Sequence, residues 1–381
     1  MEKAKISAKQ LFVVVVLFEM GSAILVGLAS TAKQDAWITI LLGMIGGITL
    51  FIVYHRLFLF YPDLPLTSYV QKIVGKWMGR ILALLYIVYF IYIAGRVLRD
   101  FGELLTATIY TNTPLIFLIT VLMITILYAI NKGFEVIARV GELFFVVVYL
   151  MAIAGFFLII FSGLIHLENI KPMVENGWLP ILKTTMRETL TFPFGEMIVF
   201  TMLLPYLNKP EKARVMCILG MVLSGINITI ASIINVATLG VDLFVRAPYP
   251  LLATVGKIQL AQFIERLDVL FMLYLMIAGF IKVAIFYYAA VIGTADLFNF
   301  KDYRKLTLPI GTIVLFAAMV MAQNYMEHIK EGLDVVPIFL HWPLQIIIPV
   351  LLLVIAYLRK KISQKQSSLP DVSQTADGAD A

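Results

Sequence analysis

The sequence predicts an all-α polytopic membrane protein with about ten transmembrane helices, arranged as two inverted halves of five helices each. Three observations support this fold class. The 381 residues are 61% hydrophobic and only 14% charged, with a mean hydropathy of +0.94, a composition that soluble domains do not have. Apolar segments of about 20 residues, the length that crosses a bilayer, recur along the chain. The first and the sixth of these segments each carry a glutamate near a glycine.

The ten apolar segments set the predicted order of the helices. They cover residues 10–30, 37–59, 81–110, 114–130, 139–162, 186–206, 213–237, 267–298, 308–323 and 343–358. The basic start and the apolar run after it resemble a signal peptide, but Glu19 interrupts that run and no small-residue cleavage site follows. We therefore predict that the first helix is retained. The single cysteine, Cys217, excludes a disulfide framework and a cysteine metal cluster.

The distribution of basic residues predicts the orientation. An even number of spans places both termini on the same side of the membrane. The loops on that side carry more than twice as many lysines and arginines as the loops on the other side. By the positive-inside rule, both termini are predicted to be cytoplasmic. The same bias accounts for the net charge of +6, so this charge does not indicate nucleic-acid binding.

Three connections are longer than turns. Residues 61–77 contain two prolines and an amphipathic stretch, which suits a segment on the cytoplasmic membrane surface. Residues 166–183 are polar and contain prolines, and are predicted to form an external lid or docking loop. Residues 242–265 are predicted to be external and partly helical. The chain is thus divided into a first repeat at 1–165, an external loop with the second repeat at 166–358, and a disordered cytoplasmic tail at 359–381.

The stretch Phe192-Pro193-Phe194-Gly195-Glu196 in the sixth segment is the leading candidate for a functional site. Proline removes a backbone hydrogen-bond donor and glycine has no Cβ, so the helix is predicted to kink or unwind there. Glu196 would then lie near the bilayer midplane, where an acidic side chain is costly and usually marks a site. The alternative is a kink with a neutral, hydrogen-bonded glutamate that only holds helices together.

The first segment contains a similar group, Glu19, Gly21 and Ser22. Glu19 lies about 12 Å along a helix from the start of its apolar run, and Glu196 lies about 14 Å from the opposite face of the membrane. Two glutamates thus reach the midplane from opposite sides, five spans apart. Interrupted helices at matching positions of two inverted halves indicate a transporter-type binding site.

Lys282 is predicted to lie deep in the membrane. It is in the eighth segment, about 24 Å along the helix from the cytoplasmic end, and must pair with an acid, face water or lose its proton. Glu19 and Glu196 are the acids of similar depth, and Lys282 could pair with Glu19. The alternative for this lysine is snorkelling to a membrane interface.

A second charged cluster lies in the third segment. Arg96 is about 22 Å along the helix from its start. Arg96 and Asp100, and likewise Arg99 and Glu103, have the i,i+4 spacing of helical ion pairs. The cluster is either part of a site or a self-neutralised outer end of the helix.

No residue pattern indicates an enzyme. The four histidines fall in loops or at helix ends without metal-ligand spacing. The sequence has no phosphate-binding glycine loop and no nucleophile elbow. We therefore predict no catalytic residues, no metal and no cofactor.

Several motifs resemble the spore germination protein family, the B subunits of the nutrient-germinant receptors of endospores. The most specific are Asn169-Ile170-Lys171-Pro172, Gly177-Trp178-Leu179-Pro180-Ile181, Phe194-Gly195-Glu196 and Pro205-Tyr206. A second external segment adds Asp242-Leu243-Phe244, Tyr249-Pro250 and Phe263-Ile264-Glu265-Arg266. The resemblance runs from Lys5 to about Leu358. The family is similar to the amino acid–polyamine–organocation transporters, whose leucine-transporter-type fold is a five-plus-five inverted repeat with broken first and sixth helices.

The resemblance implies a multi-pass subunit of the inner membrane of the spore. Such a subunit recognises a small nutrient germinant, usually an amino acid, and works with a larger A subunit and a lipoprotein C subunit. The resemblance also implies that the broken helices bind the nutrient. The substrate-binding residues would be Glu19, Gly21, Ser22, Phe192, Phe194, Gly195 and Glu196. The residues of an ion site or charge relay would be Lys282, Glu19 and Arg96.

Three functions are open at this point. The first is a sensor, in which amino-acid binding shifts a conformational equilibrium that the partner subunits read. The second is a secondary amino-acid transporter. Sodium-coupled transporters of this fold line an ion site between helices 1 and 8 with carbonyls and hydroxyls, whereas this chain has Lys282 in helix 8, which leaves proton coupling or no coupling. The third is a channel-like scaffold with little ligand selectivity.

Overall fold

The computed structural model describes residues 5–258 and 267–367, and in these residues the protein is almost entirely helical, with one isolated β-bridge between Ile6 and Leu207. The motif at Phe263-Ile264-Glu265-Arg266 and the tail at 368–381 lie outside the described residues. Seven helices of the described part are long and apolar enough to cross a membrane, or eight if one bent pair counts as a single span.

The first half contains six α-helices. They are α1 (Ala8–Ala23), α2 (Ala36–Phe60), α3 (Leu66–Val74), α4 (Lys76–Thr108), α5 (Leu115–Lys132) and α6 (Phe134–Phe161). A 3-10 helix at Ser30–Asp35 connects α1 to α2. The short helix α3 has its apolar face buried, which confirms the amphipathic segment predicted in residues 61–77.

The second half begins with a short 3-10 helix at Leu167–Ile170 and contains more irregular helix. Helix α7 (Trp178–Thr184) continues into a π-helical turn at Thr185–Thr189, and the chain then leaves helical geometry before a 3-10 helix at Phe194–Met202. Two 3-10 turns follow at Leu204–Tyr206 and Pro210–Lys212. The later helices are α8 (Ala213–Leu239), α9 (Val241–Arg246), α10 (Pro250–Gly256), α11 (Leu267–Leu297), α12 (Arg304–Val320), α13 (Tyr325–Asp334), a π-helix at Pro337–Ile347, and α14 (Ile348–Ser367).

The predicted spans without a long straight helix are the first, the sixth and the ninth. In the first, α1 stops at Ala23. In the sixth, the break falls at 190–193, so the predicted interruption beside Pro193 is confirmed. In the ninth, α12 is followed after four residues by α13, which is bent from it by 101°. The helix α13 was not predicted.

Two elements end at positions that differ from the prediction. Helix α1 continues through Gly21 and Ser22 and ends at Ala23, two residues after Gly21, with Ile24 as its C-cap. The backbone N–H of Ile24 donates to the carbonyls of Met20 and Ser22, so these residues keep helical bonding. Helix α14 extends to Ser367, well into the segment predicted as a disordered tail.

The break in the sixth span is packed against a glycine face of α2. A Cβ on Gly43, Gly46 or Gly47 would collide with Thr189, Leu190 or Phe194, respectively. The hydroxyl of Thr189 donates to the carbonyl of Thr39 at 2.6 Å. Small residues let helix backbones approach closely in a membrane, and the resulting contacts hold the non-helical turn. The helix α1 of the first span packs against α8 and α11.

The face that carries the N-terminus is closed by two sets of contacts. The N–H of Ile6 donates to the carbonyl of Tyr206 at 2.9 Å, and the N–H of Asn208 donates to the carbonyl of Ile6 at 3.0 Å. The carboxylate of Asp296 near the end of α11 accepts hydrogen bonds from Thr67 at 2.6 Å and from Ser68 at 2.8 Å. The ends of the first, sixth and eighth spans and the surface helix α3 are therefore tied together on this side.

We predict that Gly47→Ala destabilises the protein, because the added methyl group would overlap the Cβ of Phe194 at the helix break. Overpacking of this kind costs about 1–3 kcal/mol. Thermal unfolding of purified protein in nanodiscs should show a lower midpoint. Gly256→Ala is the matched control, since a Cβ at Gly256 meets no atom within 4 Å. Equal midpoints for the two variants would contradict the close-packing role of the α2 glycines.

Candidate functional site

A cavity of about 200 Å³ lies at the break of the sixth span, on the face opposite the termini. It is enclosed by the end of α1, the middle of α4, the break itself, α13 and the π-helix after α13. Of the predicted site residues, Ser22, Phe192, Glu196 and Arg96 line it. His341 and Glu188 also line it, as do Asp100 and Tyr325. The structure thus brings residues from spans one, three, six and ten to one chamber.

Glu196, at the floor of the cavity, belongs to a buried ion pair. The Nζ atom of Lys282 lies 2.5 Å from a carboxylate oxygen of Glu196, and both side chains are buried. The same ammonium group lies 4.6 Å from the ring centre of Phe192 and 5.1 Å from that of Phe18, within the range of cation–π attraction. Lys282 is therefore a buried charge that is paired with an acid, which is one of the three outcomes expected for a lysine deep in the membrane. Snorkelling to an interface is excluded, because the side chain is fully buried.

Of the two acids of similar depth, Lys282 contacts Glu196 and not Glu19. Glu19 is fully buried, and neither of its carboxyl oxygens has a hydrogen-bond partner among the described residues. Gly21 explains how the lysine fits beside α1. A Cβ on Gly21 would lie 2.8 Å from Cδ and 2.9 Å from Cβ of Lys282, so the glycine makes room for the lysine stem.

Phe194 and Gly195 lie next to the cavity rather than in its lining. Phe194 is buried against Gly47 of α2, and Gly195 faces the side-chain oxygen of Gln345 in the π-helix. The hydroxyl of Tyr54 donates to the carbonyl of Gln345 at 2.6 Å and to that of Gly195 at 3.3 Å. These two predicted residues are therefore placed to hold the shape of the break.

A polar cluster on the π-helix was not predicted. Nδ1 of His341 lies 2.8 Å from the hydroxyl of Tyr89 and 3.0 Å from the amide nitrogen of Gln345. That amide also donates to the hydroxyl of Tyr89 at 2.7 Å. His341 and Gln345 are four residues apart between two apolar stretches, and this spacing was the available signal. The cluster joins the cavity wall to α4.

Helix α13 forms the outer wall of the cavity. Its N-cap is Asn324, whose side chain accepts a hydrogen bond from the N–H of Glu327 at 3.0 Å. Arg96 donates to the carbonyl of His328 at 2.7 Å and lies 3.7 Å from a carboxylate oxygen of Glu331. Arg187 lies 2.5 Å from Asp334. Charged contacts from the third and sixth spans therefore hold this wall.

The two predicted ion pairs in α4 have different outcomes. Arg99 and Glu103 form the predicted pair at 3.1 Å. The pair between Arg96 and Asp100 is wrong, since Asp100 instead lies 2.7 Å from Nε2 of His328. Arg99 also donates to three carbonyls at the end of α12, those of Ala318, Met319 and Ala322. This arginine satisfies the end of α12 and so fixes where the chain turns into α13.

Within residues 5–258 and 267–367, no group of three or more His, Cys, Asp or Glu side chains could hold a metal ion. Charged side chains line the cavity. The carboxylate of Glu196 lies at the floor with the ammonium group of Lys282 behind it, the guanidinium of Arg96 lies on the wall, and Phe192 supplies an apolar surface. Such an arrangement can bind a small molecule with both positive and negative groups.

The chain is similar to known proteins along almost all of its length. The family model described as "Spore germination protein" matches residues 5–326. Spore germination protein KB of Bacillus subtilis (strain 168) is 42% identical over 96% of this chain and 98% of that protein. Spore germination protein YndE of the same organism is 23% identical over 94% of this chain and 98% of that protein.

Two solved transporters share the fold. MhsT, solved in complex with L-phenylalanine, has a TM-score of 0.66 at 12% identity and covers 94% of this chain and 99% of its own. Mhp1, a nucleobase-cation-symport-1 family transporter solved closed with bromovinylhydantoin bound, has a TM-score of 0.65 at 13% identity, covering 87% and 75%. The predicted leucine-transporter-type fold, with its inverted five-plus-five repeat and broken helices 1 and 6, is confirmed.

We predict that Ser30→Cys is labelled by a membrane-impermeant thiol reagent added from the face opposite the termini, because Ser30 lines the cavity that opens there. The native Cys217 is fully buried and gives no background. Ser224→Cys is the control, because Ser224 is fully buried in α8. Labelling is measured by mass spectrometry of oriented vesicles. Reaction of Ser30→Cys from the side of the termini alone would show that the cavity opens to the other face.

Proposed function

We infer the function of the cavity from one premise: the chain belongs to the spore germination protein family, and it is a transporter-like subunit of the germinant-receptor B type. We propose that the cavity at the broken sixth helix is the nutrient site and that its ligand is an amino acid. The observation that carries this proposal is the buried charge pair of Glu196 and Lys282 at the floor of a chamber with an arginine on its wall.

The charges of the cavity suit a zwitterion. Glu196 at the floor is the acceptor for a ligand ammonium group, and Arg96 on the wall is the donor for a ligand carboxylate. Arg96 and Glu196 both line the cavity, so the two ends of a short zwitterion would each meet an opposite charge. Phe192 contributes an apolar face for the ligand side chain. The carbonyls at the end of α1, next to Ser22, add partial negative charge on the ammonium side.

Ligand binding would act on the equilibrium between two states of the protein. The cavity is open on one face while the bridge at Ile6 and the contacts of Asp296 close the other. A ligand shifts this equilibrium only if it binds one state more tightly than the other. Because the ligand site includes the break of the sixth span and the wall formed by α13, binding would favour the arrangement in which both contact the ligand.

The surroundings of the protein belong to the same proposal. We assign both termini to the cytoplasm on the positive-inside bias of the loops. We assign the protein to the inner membrane of the spore, together with A and C subunits, on its family membership. Mild-detergent purification from spore membranes should recover the three subunits together.

The second candidate function is secondary amino-acid transport. The fold and the contrast between an open and a closed face favour it, because alternating access requires closure on each side in turn. Uptake of radiolabelled amino acid against a gradient by purified protein in liposomes would identify a transporter. A sensor would bind the amino acid without concentrating it.

We predict that one or a few L-amino acids raise the thermal unfolding midpoint of purified protein in nanodiscs. Saturation at about 100 times Kd adds about 2.7 kcal/mol to the free energy of unfolding. The twenty L-amino acids are each compared with the analogous 2-hydroxy acid, which lacks the ammonium group, and with the analogous amine, which lacks the carboxylate. A response to zwitterions alone is expected. No response to any amino acid, or equal responses to the hydroxy acids, would overturn the assignment.

We predict that Glu196→Gln weakens amino-acid binding by tenfold or more, because the ligand ammonium group loses its charged acceptor in a buried site. Binding is measured by isothermal titration with the amino acid that gives the largest thermal response. Glu168→Gln is the matched control, since Glu168 lies in the exposed external segment after the fifth span. An unchanged Kd in Glu196→Gln, with the protein still folded, would remove Glu196 from the site.

A further inference from the structure

We propose that the ammonium group of Lys282 occupies the position of the ligand's ammonium group. When an amine-bearing ligand binds, the ammonium group of Lys282 leaves Glu196 and pairs with Glu19. The inference rests on the proposed function for the identity of the site and adds the way in which ligand recognition changes the contacts between helices. It concerns three buried side chains that lie on the first, sixth and eighth spans.

The position of Lys282 resembles that of a bound cation. Its ammonium group lies 2.5 Å from Glu196 and stands over the rings of Phe18 and Phe192. The pair is fully buried, and Lys282 is the cation in contact with Glu196 among the described residues. A ligand ammonium that enters the cavity would compete with Lys282 for the same carboxylate.

Glu19 provides the second position. Its side chain is fully buried and both oxygens lack a hydrogen-bond partner among the described residues. Lys282 is the charged group that acts most strongly on it. The stem of Lys282 already passes beside α1 in the space left by Gly21. A lysine side chain is long and flexible, so its ammonium group can turn from one carboxyl group to the other while its stem stays in this space.

The count of charges explains why a ligand is needed for the transfer. Two carboxyl groups share one ammonium at membrane depth, and an unpaired charge there is costly. When the ligand ammonium pairs with Glu196, Lys282 is released and pairs with Glu19. Before binding, Glu19 is neutral because it holds a proton. When Lys282 arrives, Glu19 releases this proton to solvent, so each carboxylate then has one cation and no buried charge is left alone. A neutral ligand would displace Lys282 without replacing its charge at Glu196, so the device selects for amines.

The transfer changes which helices are joined. Before binding, Lys282 ties α11 to the broken sixth span through Glu196. After binding, it ties α11 to α1 through Glu19, while the ligand bridges the sixth span to the cavity wall. The ligand's ammonium group is thus both the group that is recognised and the group that displaces Lys282. This supplies a difference in affinity between the two states, which ligand-driven switching requires.

A ligand-free double-mutant cycle tests the two positions of Lys282. Glu19→Gln and Glu196→Gln are made alone and together, and the thermal unfolding midpoint and the yield of purified protein are measured in nanodiscs. Each single variant should retain most of the stability, because the other carboxylate still accepts Lys282. The double variant should lose clearly more than the sum of the two, since the ammonium then has no acid partner.

Adding Lys282→Met to the double variant should restore stability, because methionine has a similar length and no charge. This rescue keeps the cycle informative even if the double variant fails to fold. Additive effects of the two glutamine substitutions, or no rescue by methionine, would overturn the proposal. Neither outcome depends on any ligand, so failure here is separate from failure of the proposed function.

A second cycle tests the displacement itself, with the L-amino acid that stabilises the wild-type protein most. Lys282→Met should tighten its binding by about tenfold, because the competitor at Glu196 is gone. Glu19→Gln should weaken binding when Lys282 is present and have no effect in the Lys282→Met background. Weaker binding in Lys282→Met, or an equal effect of Glu19→Gln in both backgrounds, would show that Lys282 does not move to Glu19. Glu168→Gln should leave Kd unchanged in either background.

Discussion

The buried ion pair between Glu196 and Lys282 is the contact on which the site depends. Each of the two charges would be costly alone at this depth, and each makes the other tolerable. The pair joins the broken sixth span to the eighth, with Phe192 and Phe18 enclosing the ammonium group. A packed apolar pair would serve stability at least as well, so the proposed function gives these charges a role that stability does not require.

The break that presents Glu196 requires a scaffold, since non-helical backbone in a membrane must be satisfied by protein. Here α2 supplies it. Gly43 and Gly47 let the break approach the helix, and the carbonyl of Thr39 accepts from Thr189. On the other side, Tyr54 ties the carbonyl of Gly195 to that of Gln345. The irregular span is therefore rigid at its edges, and the side chains at its centre are held toward the cavity.

Hydropathy and periodicity were enough to predict the spans, the break beside Pro193 and the depth of Lys282, because these depend on position along the chain. They could not predict that Lys282 pairs with Glu196 rather than Glu19, since that choice depends on how helices are rotated about their axes. Helix α13 was not predicted because it is short and polar, and its contacts with Arg96 and Asp100 are long-range. The cluster of His341 and Gln345 was not predicted because each is a single polar residue in an apolar run.

Different kinds of contact link the helices on the two faces of the molecule. This difference matters for the choice between a sensor and a transporter. The face of the termini is held by a backbone bridge at Ile6 and by the neutral hydroxyls that bind Asp296. The other face is bounded by α13, held through Arg96 and Arg187. Under the proposed function, a ligand carboxylate competes directly for Arg96, so binding would act first on the wall formed by α13. The contacts at Ile6 and Asp296 include neither Arg96 nor Glu196, so they would change only through movement of the helices. The proposed ligand could therefore be reported at the α13 wall whether or not the face of the termini opens.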